Sequence, residues 1–259
     1  MSLDIYQYVA GALSGGLVGF SLGMFGGGGS ILAVPLMVYF VGVPNAHMAI
    51  GTSAFSVAFN AATGLVSHAR CGTVKWRCAT IFMATGSVGA FIGASLGKAM
   101  DGQRLLLLFS FLMMVVGILM FRRRSSEGDP LAQCNRNNAP KVLGIGAGTG
   151  LCAGFFGIGG GFLIVPGLVL STGMPTLNAI GSSLVSVTAF GLVTALSYSV
   201  SGLVDWPLAL VFVAAGSIGG FAGTRVAQSL AARKSTLNTV FAALILLVAL
   251  YMAWRNLAG

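Results

Sequence analysis

The sequence predicts an all-α, polytopic integral membrane protein. Of its 259 residues, 56% are hydrophobic and 7% are charged, whereas about 25% are charged in an ordinary soluble domain. Several apolar runs, including 78–97, 103–121 and 235–254, reach the ~20 residues that a helix needs to cross the hydrocarbon core. These runs lack the polar alternation of a membrane β-barrel. We therefore expect a bundle of helices that satisfy their own backbone hydrogen bonds within the bilayer.

Basic residues dominate the small charged fraction and lie almost entirely at the ends of apolar runs. Fourteen Lys and Arg against five Asp and Glu give a net charge of +9. Membrane topology explains this placement better than nucleic-acid binding does. The expected partner is the lipid bilayer and not nucleic acid, and a homo-oligomer is compatible with this composition. The N-terminus has no basic n-region or A-x-A cleavage site, so the first apolar run is expected to stay in the mature protein.

The two halves of the sequence match, which indicates an internal duplication of the kind common in transporters. "AIGTSAFSV" at 49–57 aligns with "AIGSSLVSV" at 179–187. The matched residues of two Gly-rich stretches are Gly26, Gly28, Gly29, Leu32, Val34 and Pro35, and Gly157, Gly159, Gly160, Leu163, Val165 and Pro166. The predicted units are a transmembrane repeat at 1–121, a cytoplasmic linker at 122–141 and a second transmembrane repeat at 142–259.

Each repeat contains about four to five hydrophobic segments. They lie at 5–25, 30–43, 46–69, 78–97 and 103–121, and at 142–156, 161–173, 177–199, 207–224 and 235–254. At 1.5 Å per residue, the second segment of each repeat spans only about 20 Å, less than the ~30 Å hydrocarbon core. The first two segments therefore form one broken helix, two crossings or a re-entrant hairpin.

The distribution of Lys and Arg favours inverted repeats, which an odd number of passes per half produces. With the linker inside, inverted repeats leave only Lys98, Arg104 and Arg255 on the outer side. Parallel repeats would place the three basic residues of 225–234 outside and bring Arg255 inside. The inverted arrangement therefore agrees better with the positive-inside rule.

The Gly-rich stretches, "FGGGGSILAVP" at 25–35 and "FGIGGGFLIVP" at 156–166, predict breaks in the helices. Each interior Gly costs about 1 kcal/mol against Ala, so the chain is expected to unwind there. A new helix starting near Ser30 or Gly161 aims unpaired N–H groups and its positive dipole end into the break, which suits an anion. Close helix packing is the alternative role for such glycines. The predicted substrate-binding residues of the breaks are Gly27, Gly28, Gly29, Ser30, Gly159, Gly160 and Gly161.

Hydroxyl side chains follow each break on the next helix. These predicted substrate-lining residues are Thr52, Ser53 and Ser56 in the first half and Ser182, Ser183 and Ser186 in the second. Asn60 and Thr188 fall near the same helical faces. Such hydroxyls bind an oxyanion, or they bond to their own helix and its neighbours. No Asp or Glu lies between Asp4 and Asp101 or between Asp129 and Asp205, so these spans offer no carboxylate for a cation.

No catalytic, cofactor or metal motif is recognisable. "VLGIGAGTG" at 142–150 lacks the strand–turn–helix context of a nucleotide-binding loop, and His47 and His68 are the only histidines. The sequence therefore predicts no enzyme activity, no cofactor and no metal. The four cysteines form neither a CxxC pair nor a regular framework, and we expect thiols in or near the cytosol.

The duplicated F-G-x-G-G-G-x-x-x-V-P signature, the P-x(5,6)-G-[TS]-S pattern that follows it and the paired Gly-x-Val-x-Trp loops resemble the TauE/SafE family of membrane permeases. Ser30 departs from the signature, since the second copy has Gly161 there. The resemblance implies a multi-pass carrier in a bacterial inner membrane that moves sulfite, sulfonates or related anions. The alternative is a passive anion pore or the membrane subunit of a sulfur-metabolism assembly.

Overall fold

A computed structural model of the protein describes residues 4–122, 129, 134, 138–157, 159, 161–229, 243 and 245–255. The regular structure within these residues is entirely helical. Six helical stretches in them are long and apolar enough to cross a membrane. The prediction of an all-α, polytopic membrane protein is therefore confirmed.

Ten α-helices occur in this part of the chain. They are α1 (Ile5–Phe25), α2 (Ala33–Pro35), α3 (Ala46–Arg70), α4 (Trp76–Ala99), α5 (Gly102–Arg122), α6 (Ala139–Phe156), α7 (Gly161–Thr172), α8 (Thr176–Val200), α9 (Trp206–Ser229) and α10 (Ile245–Arg255). Most begin and end within a few residues of the predicted segments. The exception is α10, because the first half of the segment predicted at 235–254 lies mainly outside the described residues.

The first two segments form a hairpin and not one broken helix. After α1 the chain turns at Gly26, whose φ of +64° favours glycine. It then runs through a 3-10 helix (Gly26–Leu32), α2 and a π-helical turn (Leu36–Phe40). The side-chain amide of Gln7 donates a hydrogen bond to the carbonyl oxygen of Gly42 at 3.3 Å. Because Gln7 lies near the start of α1, the returning segment ends beside the point where α1 began.

The expected start of the second helix at Gly29 or Ser30 is wrong, because the 3-10 helix already begins at Gly26. Glycines make this tight return possible. A Cβ atom at Gly29 would lie 2.6 Å from the carbonyl oxygen of Ser21 on α1, closer than a side chain tolerates. The break in the first repeat is therefore a sharp turn followed by a narrow helix, and not an unwound stretch.

The second repeat contains a corresponding hairpin made of α6 and α7. Gly157 and Gly159 have φ values of +65° and +63°, and α7 begins at Gly161 as the sequence predicts. A Cβ atom at Gly167 would lie 3.0 Å from Ile145 and 3.4 Å from Thr149. These contacts show that α7 returns along α6, in the manner of the first hairpin.

Helices of one repeat pack mainly on helices of the other. α1 lies against α9, and its counterpart α6 lies against α4. Small residues allow close approach here, as expected from their spacing: a Cβ atom at Gly15 would lie 2.9 Å from Cα of Phe212, and one at Gly89 would lie 2.8 Å from the backbone nitrogen of Leu151.

Helices α3 and α8, which correspond to each other, pack side by side in opposite directions. Gly51 near the start of α3 lies beside Tyr198 near the end of α8, where a Cβ atom on Gly51 would be 2.9 Å from that of Tyr198. Farther along α3, a Cβ atom at Gly64 would lie 3.6 Å from Leu184, in the first half of α8. Corresponding helices of parallel repeats would run in the same direction.

The expectation that all four cysteines are thiols is wrong for two of them. Cys78 and Cys134 form a disulfide, whereas Cys71 and Cys152 are outside it. The two bonded residues are 56 positions apart, and their proximity depends on how the linker lies against the start of α4. The backbone N–H of Asp129 also donates to the carbonyl oxygen of Gly173 at 2.9 Å. Both contacts place linker residues beside the end of α7 and the start of α4.

Candidate functional site

The two Gly-rich breaks meet in the interior of the protein. A Cβ atom at Gly27 would lie 2.7 Å from Cα of Gly161 and 3.1 Å from its carbonyl oxygen. Valines at corresponding positions of α3 and α8 flank this contact: a Cβ atom at Gly159 would lie 3.3 Å from Val57 and from Val187. We call these five residues the hairpin junction. It brings together sequence positions that lie more than half the chain apart.

The first hairpin is tightly packed at the junction. All residues of Gly26–Leu32 are buried, so Gly27, Gly28, Gly29 and Ser30 are all shielded from solvent. The Ser30 hydroxyl donates to the carbonyl oxygen of Gly27 at 2.8 Å, and this bond holds the narrow helix closed. In the second hairpin Gly161 is buried and lies at the first position of α7, whereas Gly160 is outside the described residues.

The turn of each hairpin contacts an isoleucine of the other repeat, Ile180 or Ile50, in the two "AIG" motifs. A Cβ atom at Gly26 would lie 2.5 Å from the side chain of Ile180, and Gly157 contacts Ile50 in the same way. The carbonyl groups of these isoleucines accept hydrogen bonds from Ser53 Oγ, at 3.0 Å to Ile50, and from Ser183 Oγ, at 2.7 Å to Ile180. These two predicted lining residues therefore bond within their own helices, beneath the turns.

Thr52 and Ser182 join the two repeats. The backbone N–H of Asp205, just before α9, donates to Thr52 Oγ1 at 3.0 Å. Correspondingly, the backbone N–H of Lys75, just before α4, donates to Ser182 Oγ at 2.9 Å. Each hydroxyl thus satisfies an N–H group at the start of a helix, which otherwise has no partner within its own helix. The sequence left bonding to neighbouring helices open as an alternative for these hydroxyls but did not identify the donors, which lie in the duplicated Gly-x-Val-x-Trp loops.

Ser56 and Ser186 occupy corresponding positions but differ in their bonding. Ser56 Oγ donates to the carbonyl oxygen of Thr52 at 2.9 Å and lies 3.3 Å from that of Ala209. Ser186 Oγ is buried and has no hydrogen-bond partner within the described part of the chain. Ser186 directly precedes Val187 of the hairpin junction in the sequence, and its hydroxyl keeps both its donor and its acceptor capacity within the described residues.

The junction is uncharged, and its only polar groups are those of the backbone. Its five residues are glycines and valines. Groups of three or more His, Cys, Asp or Glu that could hold a metal do not occur among the residues the structure describes. With the start of α7 at Gly161, unpaired N–H groups and the positive end of the helix dipole lie at the junction. Such an arrangement is suited to a small anion.

Comparison with known proteins gives a consistent family assignment. The family model described as sulfite exporter TauE/SafE matches residues 11–252. Two proteins named probable membrane transporter protein are similar to the chain over 252 residues, covering 95% of each sequence: one from Xylella fastidiosa strain 9a5c at 52% identity and one from strain Temecula1 at 51%. Probable membrane transporter protein YdhB of Bacillus subtilis is 25% identical over 211 residues, covering 81% of the chain and 86% of YdhB.

No solved structure matches the chain. The family model nevertheless covers almost its full length, including both Gly-rich signatures and the hairpins that they form. The chain is a member of the TauE/SafE family of membrane transporters.

Proposed function

We propose that the protein is a secondary carrier for small sulfur-containing anions, such as sulfite or organosulfonates, and that it works by alternating access. The observation that carries this proposal is the backbone contact between Gly27 and Gly161. Two hairpins from different repeats meet there without a charged side chain. Inverted-repeat transporters hold their substrates at such a meeting point, near the middle of the membrane.

The chemistry of the junction supports an anion as the substrate. Amide N–H groups and hydroxyls are hydrogen-bond donors, and the start of α7 adds positive potential. No carboxylate side chain lies between Asp4 and Asp101 or between Asp129 and Asp205. A cation would therefore find no counter-charge in these spans. Sulfite and sulfonates present several acceptor oxygens to such donors. The family description, sulfite exporter TauE/SafE, agrees with this substrate class.

The arrangement of the repeats supports alternating access. Helices α3 and α8 run in opposite directions, as inversion about an axis in the membrane plane requires. In each repeat the hairpin begins and ends on the same side of the membrane, and the three further segments give an odd number of crossings. Each hairpin can therefore open toward its own side of the membrane. The tight contact at Gly27 and Gly161 then separates the two sides between openings.

The positive-inside rule orients this arrangement in the membrane. We infer that the linker and the loop after α3 are cytoplasmic and that the protein resides in the inner membrane of a bacterium. The disulfide between Cys78 and Cys134 supports the placement of both segments on one side. Because disulfides are rare in the cytosol, the bond itself does not favour the cytoplasmic side, and that assignment depends on the basic residues alone.

Counterflow in proteoliposomes tests the carrier function. Vesicles preloaded with unlabelled sulfite and diluted into labelled sulfite should accumulate label transiently and saturably, and sulfonates should compete. Flux that rises linearly with concentration would indicate a passive pore instead. Absence of flux for sulfite and for a panel of sulfonates would contradict the proposed substrate class and favour a membrane subunit without its own transport cycle.

A further inference from the structure

Two corresponding helix interfaces of the protein differ in polarity. α3 packs on α9, and its counterpart α8 packs on α4. Polar side chains line the first interface from the Thr52 bond to Asp205 at one end to Ser67 and Thr224 at the other. We call this line the polar seam. It comprises Thr52, Ser56, Asn60, Thr63, Ser67 and Thr224.

The counterpart interface has apolar residues at three of the six corresponding positions, and serines (Ser182, Ser186 and Ser197) at the other three. When the repeats are aligned, Phe190 takes the place of Asn60, Val193 that of Thr63 and Ala94 that of Thr224. The Phe190 ring is fully buried and packs on Gly86, where a Cβ atom would lie 2.5 Å from Cε1 of the ring. Both repeats therefore keep the same contact between helices, but the α3–α9 interface carries polar side chains at three positions where the α8–α4 interface is apolar.

Asn60 is the most polar residue in the middle of the seam. Its side chain is only 4% exposed and lies over Gly216 of α9, where a Cβ atom would be 2.7 Å from Cγ of Asn60. Gly216 also touches α1, since a Cβ atom at Gly19 would lie 2.6 Å from Cα of Gly216. The carboxamide therefore lies where α1, α3 and α9 meet.

The carboxamide of Asn60 has an unused hydrogen-bond donor. Oδ1 accepts a hydrogen bond from Ser217 Oγ at 3.4 Å, whereas Nδ2 has no partner within the described residues. If the carboxamide were rotated by 180°, Nδ2 could donate one of its two hydrogens to Ser217 and the other would still lack an acceptor. An unpaired amide donor at membrane depth is unfavourable for folding. Because the folded protein nevertheless keeps Asn60 Nδ2 unpaired, this amide group is available to donate a hydrogen bond to a ligand.

The seam continues from Asn60 toward a small cavity. Thr63 Oγ1 donates to the carbonyl oxygen of Asn60 at 2.8 Å and borders a space of about 10 Å³, enough for roughly one water molecule. The cavity is lined by Thr63, Gly64, Ser67, Gly220, Phe221 and Thr224. In the other direction along α3, Val57 of the hairpin junction lies one helical turn from Asn60.

We propose that Asn60 is a substrate-binding residue whose carboxamide N–H donates to the oxyanion beside the hairpin junction. The anion moves along the polar seam, and Phe190 closes the counterpart interface to it. This inference rests on the proposed anion-carrier function and adds an asymmetry to it. The two repeats share a backbone plan, but of the two corresponding interfaces only the α3–α9 interface leads the substrate to or from the hairpin junction.

Replacement of Asn60 tests the inference in proteoliposomes with labelled sulfite. Asn60→Leu should raise the half-saturation concentration for counterflow by about tenfold or more, the effect of losing a hydrogen bond to a charged group. Because the variant removes an unpaired donor, its midpoint of thermal unfolding should stay the same or rise. Asn60→Ala adds no atoms beside Gly216 and serves the same purpose if the leucine variant does not fold.

Thr194→Val is the matched control. Thr194 Oγ1 is also fully buried without a partner in the described chain, but it lies on α8, outside the seam. This nearly isosteric change should leave sulfite counterflow unchanged. Wild-type half-saturation in a folded Asn60 variant would overturn the inference and leave the carrier function intact. A loss of exchange that follows a loss of stability in both Asn60 variants would assign Asn60 a packing role. No exchange in the wild-type protein would overturn both proposals.

Discussion

Substitution of Gly27 by alanine probes the contact on which the hairpin junction depends. The added Cβ would lie 2.7 Å from Cα of Gly161, 2.7 Å from Cγ2 of Val187 and 3.1 Å from the carbonyl oxygen of Gly161. An ordinary contact between carbon atoms is about 3.5–4.0 Å. Backbone atoms cannot rotate away, and the β-branched valine is stiff. The two hairpins must therefore separate by about 1 Å.

Such overpacking costs about 1–3 kcal/mol of folding free energy. A displacement of about 1 Å in a site that positions a reacting or bound group can cost about a hundredfold in rate. We therefore expect Gly27→Ala to fold with reduced stability and to lose most sulfite counterflow. Thermal unfolding in detergent and counterflow in proteoliposomes, both normalised to folded protein, measure the two effects.

Gly148→Ala is the control for this experiment. Gly148 is exposed on α6, and no atom lies within 4 Å of the position its Cβ would occupy. Since Ala favours a helix over Gly by about 1 kcal/mol, this variant should be at least as stable as wild type and fully active. Wild-type counterflow and stability in Gly27→Ala would refute the close contact and the role of the junction in transport.

Three further predictions concern the hydroxyls, the disulfide and the topology. Thr52→Ala and Ser182→Ala remove the hydroxyl acceptors that the backbone N–H groups of Asp205 and Lys75 use, which should cost about 1–3 kcal/mol of stability. Ser53→Ala and Ser183→Ala remove only bonds within a helix and should cost clearly less. Equal unfolding midpoints in all four variants would contradict these roles. Peptide mapping of the purified protein without reductant should recover Cys78 linked to Cys134, and recovery of both as alkylated thiols would contradict the bond. A membrane-impermeant maleimide should label the exposed Cys71 in inverted vesicles and not in intact cells, whereas the reverse pattern would place the linker outside.

The sequence was sufficient to predict the helices and the meeting of the two breaks. Apolar runs of about 20 residues have few alternatives to a membrane helix, and the duplicated Gly-Gly-Gly motifs marked the positions that meet. The short second segments left three alternatives open. Only tertiary contacts, such as the hydrogen bond between Gln7 and Gly42, show that the chain returns along α1 and exclude a single broken helix.

The properties missed from the sequence depend on long-range contacts. A run of serines and threonines on one helical face does not reveal that Thr52 accepts from Asp205 on another helix, or that Ser183 bonds to its own backbone. Likewise, cysteine spacing does not show that the linker brings Cys134 to Cys78. Two features of the sequence indicated that Asn60 is unusual: it lies near the same helical face as Thr52 and Ser56, and its counterpart in the second repeat is Phe190. Its unpaired donor became visible only once α9 was in place.

The position of a bound anion tests the role of the hairpin junction most directly. Selenite resembles sulfite in shape and charge, and selenium scatters anomalously, so crystals grown with selenite would locate it. We predict a selenium peak within hydrogen-bonding reach of the backbone amides at the hairpin junction, on its Asn60 side. A peak remote from Gly27 and Gly161, in a protein that exchanges selenite, would contradict the proposed site.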